Sequence, residues 1–192
     1  MLNGVSRPLS VERRQAILDA AAHVIAAEGL AASTAAIASA AGISNGSLFT
    51  YFATKSELLN ALFVALKLEM GAAAEYGLAA DGDPHDQFRR MWNQWLDWAA
   101  ANPDGHRALA QLTVSDEITS ASHGSVGGGM ASVAAFLEKT KSAGPMREAS
   151  LAFVLDLMTA IAETTIGSIN ANPTNAGRNR ELGFEAMWRI LA

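Results

Sequence analysis

Cysteine is absent from this chain. That rules out disulfide staples, a thiolate nucleophile, zinc-thiolate sites and iron–sulfur clusters. Nothing argues for an oxidising compartment, and the cytoplasm is the expected location. The four histidines, His23, His85, His106 and His123, are scattered. No His-x-x-x-His pair or carboxylate cluster has ligand spacing, so neither a metal nor a cofactor is expected. Gly127-Gly128-Gly129 follows no strand and lacks a nearby Lys-Ser or Lys-Thr, which argues against a phosphate cradle. With no convincing nucleophile–base pair either, the chain does not read as an enzyme. Long apolar runs are missing too. Met1 to Arg7 has no apolar signal core, and stretches such as Leu58 to Leu66, interrupted by Asn60, are too short to cross a bilayer, so no membrane partner is expected.

Charged residues make up only 17% of the 192, whereas half are hydrophobic and the mean hydropathy is +0.15. That balance folds, and it suffices for one sizeable core or for a small domain attached to a larger one. The net charge of -5 argues at first against a nucleic-acid partner. Its distribution matters more. Residues 1–55 hold Arg7, Arg13, Arg14 and Lys55 against Glu12, Asp19 and Glu28, a balance of +1, and the remainder carries -6. The first third is therefore free to meet DNA.

The sequence breaks at Gly29, Gly42, around Asp81 to Pro84, at Asn102-Pro103, around Ser122 to Gly129, at Gly144-Pro145 and at Asn172-Pro173. Between the breaks apolar residues recur at helical spacing, and no segment alternates as a strand would. The predicted fold is all-α, with about nine helices: three short ones, a connector from Thr54 to about Leu78, and five more. Ser10 is expected to cap the first helix and Gly29 to stop it. Asp83-Pro84 and Asn102-Pro103 read as a cap followed by proline in the first turn, and Gly144-Pro145 and Asn172-Pro173 also mark helix starts. The glycines at 124 and 127–129 predict a loose or late-starting helix, each costing roughly 1 kcal/mol against alanine. A loop, or a gate over a pocket, are the two readings of that segment.

Residues 33–52 contain two short helical patterns around Gly42, in the order a helix-turn-helix requires. Ser33 can cap the first, Ala38 is small enough for a close crossing, and Gly42 can take the positive φ of the turn. Ile37, Ile43 and Leu48 would form the wedge. Ser44 caps the second helix, whose reachable polar residues are Asn45, Ser47, Thr50 and Tyr51.

The extended string Ile37-Ala38, Ala41-Gly42-Ile43-Ser44, Gly46-Ser47-Leu48-Phe49, Tyr51-Phe52 and Lys55-Ser56-Glu57-Leu58-Leu59 resembles the signature of the TetR family of transcription regulators. The resemblance implies a DNA-binding domain over residues 1–53 and a helical effector-binding and dimerisation domain over 54–192. It implies double-stranded operator DNA and a second copy of the chain as partners. By position, Ser33 and Thr34 become phosphate or capping contacts, Asn45 and Thr50 candidates for base edges, and Ser47, Tyr51 and Lys55 backbone contacts. Ser44, Gly46 and Phe49 complete the implied DNA-facing set. The sequence departs from the pattern at Phe49, where tyrosine is common, and at Thr50, where histidine is common. With so few basic residues, affinity is expected to lean on polar contacts, dimerisation and the arm bearing Arg7, Arg13 and Arg14, and to depend modestly on salt.

The resemblance also implies a cavity for a small, largely apolar effector, with Trp92, Trp95, Leu109, Leu112, Met130, Phe136, Phe153 and Met158 as candidate walls and His106 as a polar anchor. Each is equally a core residue by its spacing. The segment from Pro145 to about Ile169 is apolar almost all round, with stripes at Leu151, Val154, Leu155, Met158, Ala162 and Ile166 and at Phe153, Leu157, Ala160, Ile161 and Thr164. A helix apolar on two sides needs two partners, and Leu151, Leu155, Ala162 and Ile166, with Phe184, Met187, Trp188 and Leu191 of the last helix, are the expected dimer interface. The expected mechanism is repression, with effector shifting the dimer to a spacing that does not fit successive major grooves. A protein-binding adaptor on the same fold is the alternative.

Overall fold

In a computed structural model that describes residues 10–78 and 82–192, ten α-helices and no strand are found among the described residues. They are α1 (Val11–Glu28), α2 (Thr34–Ala40), α3 (Asn45–Tyr51), α4 (Lys55–Leu78), α5 (Pro84–Ala101), α6 (Pro103–Thr113), α7 (Ser120–Gly129), α8 (Ala131–Lys141), α9 (Leu151–Ala171) and α10 (Ala176–Leu191). Arg7 and the break at Asp81 lie outside the described residues. The chain divides into two compact units that do not follow its order. One comprises residues up to Lys67 with Pro103–Ser125, the other Leu68–Asn102 with Val126–Ala192.

In the first unit, Ser10 caps α1 by accepting from Arg13 N (3.3 Å), and its hydroxyl donates to Glu12 (2.6 Å), holding that carboxyl below its usual range. Ile17, Ala21 and Ile25 are buried along α1 with Ile37, Leu48, Phe52, Leu58 and Leu62, one continuous apolar core at helical spacing. α6 packs along α1 through Ala108 and Leu112. Gln111 Nε2 donates to Ile25 O (3.2 Å), satisfying a carbonyl near the end of α1. His23 Nδ1 meets Asp104 at 2.7 Å, and Arg107 reaches the same carboxylate at 2.6 Å. Asp104 is held below its ordinary range by the His23 hydrogen bond first and that of Arg107 second.

In the second unit, Asp83 caps α5 by accepting from His85 N (2.8 Å), with Pro84 in the first turn. α5 buries Phe88, Met91, Trp92, Trp95 and Leu96. Phe88 lies 5.8 Å from Phe184 and 5.7 Å from Trp188 between ring centroids, so α10 closes on α5 through aromatic contacts. Arg89–Glu181 (2.6 Å) and Arg180–Asp97 (2.7 Å) clamp the rim of that seam. α10 crosses α9 at Gly183, where an added Cβ would stand 2.2 Å from Thr165 Oγ1, closer than any side chain allows.

The segment Ser120–Lys141 accounts for the difference between nine and ten helices, because Met130 (φ -119°, ψ 22°) leaves helical geometry and divides α7 from α8. α7 also starts earlier than its glycines suggest. Thr119 caps it, accepting from Ser122 N (3.3 Å), and Gly124, Gly127 and Gly128 are exposed with open space around them. α9 begins at Leu151 rather than Pro145. Residues 144–148 form turns, with Gly144 set against the Leu191 carbonyl, and Ser150 supplies the cap by accepting from Phe153 N (3.2 Å).

By length and composition α9 is apolar enough to cross a membrane. It buries Val154, Met158, Ala162 and Ile166 and packs on α10, with 28% of its most apolar window buried.

Candidate nucleic-acid interface

Ser33 Oγ accepts from Ala36 N (3.0 Å), so α2 starts on a side-chain cap. Its end is closed by Ile43 N donating to Ala38 O (3.0 Å) and Gly42 N to Ser39 O (3.0 Å), with Gly42 at φ 66°. This is the paired closure that a left-handed glycine permits, and it turns the chain within three residues. Ser44 then caps α3, its Oγ accepting from Ser47 N (3.1 Å) and pairing with Ser47 Oγ (2.9 Å). Ile37 and Leu48 are fully buried between the two helices, and Ile43 is half-buried at the turn.

With Leu48 and Phe52 in the core, α3 turns Asn45, Gly46, Phe49 and Thr50 outward. Phe49 is 42% exposed, a large apolar ring held at the surface. Ser47 and Tyr51 flank this face half-buried, and Ser33 and Ser44 are exposed at the two caps, with Thr34 half-buried beside the first. Arg14 on α1 places its guanidinium 5.0 Å from the centre of the Phe52 ring, tying the end of α3 to α1.

Lys55 has a second task. Its Nζ donates to Leu30 O (2.7 Å), bracing the loop between α1 and α2 and leaving two of its donors for other partners. The sequence reading also missed a cap. Thr54 Oγ1 accepts from Glu57 N (3.0 Å) while Glu57 Oε2 accepts from Ala53 N (2.7 Å), and this reciprocal pair sets α4 against α3. Its local signal, threonine followed three residues later by glutamate, stands in the sequence.

Asn60 was unforeseen as well. Its Oδ1 accepts from Thr119 N (2.9 Å) and Ser122 Oγ (2.7 Å), and its Nδ2 donates to Ser56 O and Glu117 O (both 2.8 Å). No short-range pattern announces a bond to partners so far along the chain.

The candidate effector residues fall in both units. His106, Leu109 and Leu112 are buried on α6 in the first. In the second, Trp92, Trp95 and Met158 are buried, Phe136 is half-buried, and Met130 lies over Gly71 of α4. Trp92 Nε1 donates to Arg180 O (3.3 Å), whereas the buried Trp95 Nε1 has no hydrogen-bond partner among the described residues. Phe153 is 51% exposed on α9, away from the buried candidates.

The expected dimer residues divide. Ala162, Ile166, Phe184, Met187 and Leu191 are buried within the chain's own fold, and Leu151, Leu155 and Trp188 are half-buried. An open groove between α9 and α10 is lined by Leu157, Ala160, Ile161, Leu182 and Ala186 together with polar residues such as Thr164 and Asn179.

Residues 17–62 match the family described as bacterial regulatory proteins, tetR family. The fold is shared with solved structures over nearly its whole length. A transcription regulator assigned to the tetR family from a Shewanella species aligns with a TM-score of 0.83 at 24% identity, covering 94% of this chain and 98% of that one. A TetR family transcription regulator from Marinobacter aquaeolei gives 0.78 at 22% identity, over 94% and 95%. The TetR-like regulator LfrR from Mycobacterium smegmatis, solved in complex with proflavine, gives 0.68 at 19% identity, over 91% and 94%.

Proposed function

We propose, from the match of residues 17–62 to the family described as bacterial regulatory proteins, tetR family, and from the fold shared with solved regulators, that this chain is a dimeric repressor. It would bind operator DNA in a sequence-specific way and leave it when a small, largely apolar effector binds. The observation that carries the DNA-binding part is the outer face of α3, which offers Asn45, Phe49 and Thr50 to a partner while Leu48 and Phe52 anchor the helix. A recognition helix in a major groove needs that division between an anchored and an offered side. Ser33, Thr34, Ser47 and Tyr51 beside it would hold phosphates and so set register.

Two observations support the remainder. The groove of α9 and α10 leaves apolar side chains in water, which a second copy would cover. The unpartnered Trp95 N–H carries a desolvation cost of about 1–3 kcal/mol that an acceptor atom on an effector would offset. LfrR binds proflavine, so that planar aromatic cation is a reasonable first probe, read by quenching of tryptophan fluorescence. α4 contributes residues to both units, and a shift of that helix on effector binding is the route by which the α3 spacing would change.

Gel-shift assays on DNA upstream of the chain's own gene, at several salt concentrations, test the reading. A discrete complex that survives excess unrelated DNA is expected. Its absence, with a folded dimer in solution, would favour the adaptor reading, which the uncharged stretch between Glu28 and Lys55 supports.

A further inference from the structure

Asn45, Gly46, Phe49 and Thr50 form one face of α3, and their chemistry restricts what that face can recognise. No charged residue stands between Glu28 and Lys55. The α3 face therefore cannot supply the Arg or Lys fork that reads guanine O6 and N7, nor the carboxylate that accepts from cytosine N4. Asn45 is its one side chain able to make a bidentate pair, and that pair is with adenine N6 and N7. Thr50 Oγ1 donates to Gly46 O (3.3 Å), so its proton is turned back onto the helix and the γ-methyl is left as its free apolar group. Phe49 makes no hydrogen bond through its ring and is 42% exposed. At Gly46 an added Cβ would meet only Ser44 Oγ, at 4.0 Å, so the backbone is bare there and can approach a base pair closely.

One apolar group projects into the major groove of B-DNA, the C5-methyl of thymine. We propose that α3 reads its operator through thymine methyl groups, Phe49 and the γ-methyl of Thr50 packing on them beside an adenine paired with Asn45. This rests on the DNA-binding reading above and narrows it to a base class. Each half-site carries A·T pairs under α3, and discrimination there comes from the methyl group rather than from guanine contacts.

The experiment uses the full chain. Binding sites are selected from a random duplex pool, and each thymine of the recovered half-site is replaced in turn by deoxyuridine, which removes only the methyl. Loss of a contacted methyl weakens binding about fourfold, the equivalent of burying one methyl-sized group. Phe49→Ala and Thr50→Ser each abolish the difference between thymine and uracil at one position. Thr50→Val, which keeps the methyl and drops the hydroxyl, preserves it. Both sites are exposed, so circular dichroism and thermal midpoints of the variants match the parent. Equal affinity for thymine and uracil throughout the half-site overturns the inference, as does a Thr50→Val variant that loses discrimination as fully as Thr50→Ser. Those results leave specific binding intact. Recovery of no preferred sequence at all overturns the regulator reading and this inference with it.

Discussion

Ser44 holds the start of α3 with two hydrogen bonds to Ser47, one from its backbone N–H and one with its hydroxyl. Ser44→Ala removes both in a helix of only seven residues, and such a cap is worth about 1 kcal/mol. The unfolding free energy should fall by that amount, with a larger proportional loss in operator affinity, because the seven residues it orders are the offered ones. A gel-shift series beside a urea titration separates the two effects. Asp104 gives a pH prediction. Its carboxyl is held below the ordinary value by His23 and then Arg107, so its contribution to stability is complete above its unfolded pKa and is lost as pH falls through the lower, folded one. Asp104→Asn should therefore flatten the acid limb of the stability curve below pH about 4, and parallel acid limbs in variant and parent would refute it.

At the scale of elements, Asn60 joins α4 to the link between α6 and α7 and to the start of α7 with three hydrogen bonds of 2.7–2.9 Å inside one unit. Asn60→Ala leaves Ser122 and the Glu117 carbonyl short of a partner, at a cost of about 1–3 kcal/mol. Guanidinium denaturation should show the midpoint falling with an unchanged slope. This element-level wiring is what the sequence conceals. The caps at Ser10, Ser33, Ser44 and Asp83 are legible because a cap is satisfied within three residues. The start of α9 is not, since Pro145 and Ser150 both carry valid local signals and the contact of Gly144 with Leu191 decides between them. α7 runs through its glycines because Thr119 supplies a cap the composition did not weigh. The two stripes of α9 are equally apolar, so periodicity alone cannot say which one the chain buries. The helix-turn-helix was legible throughout, while the bracing role of Lys55 depends on where the Leu30 carbonyl lies in space.

For the whole molecule, the proposed assembly rests on the outward stripe of α9. Leu182 is 56% exposed beside the groove formed with Leu157 and Ile161, and Phe153 is exposed on the same helix as those two. Leu182→Glu places a carboxylate in a face that a second copy would cover. It should convert the dimer to a folded monomer in sedimentation velocity, with helical content unchanged. Specific DNA binding should fall steeply with it, since each half-site would then be held by one recognition helix alone. A variant that remains dimeric would remove this groove from the assembly. Met187→Ala, by contrast, opens a cavity in the interior and should lower stability by about 2–5 kcal/mol whether or not the chain is dimeric.

The uncharged stretch between Glu28 and Lys55 has a consequence for the chromosome as a whole. Non-specific affinity for DNA comes almost entirely from counterion release by basic side chains, each adding about 0.9 to the salt exponent. A reader whose recognition helix carries no cation, with its basic side chains confined to flanking positions such as Arg13, Arg14 and Lys55, would be held less tightly by the millions of irrelevant sites that sequester most such proteins. A larger share of its copies would stay free in solution, and few molecules per cell would suffice to occupy one operator.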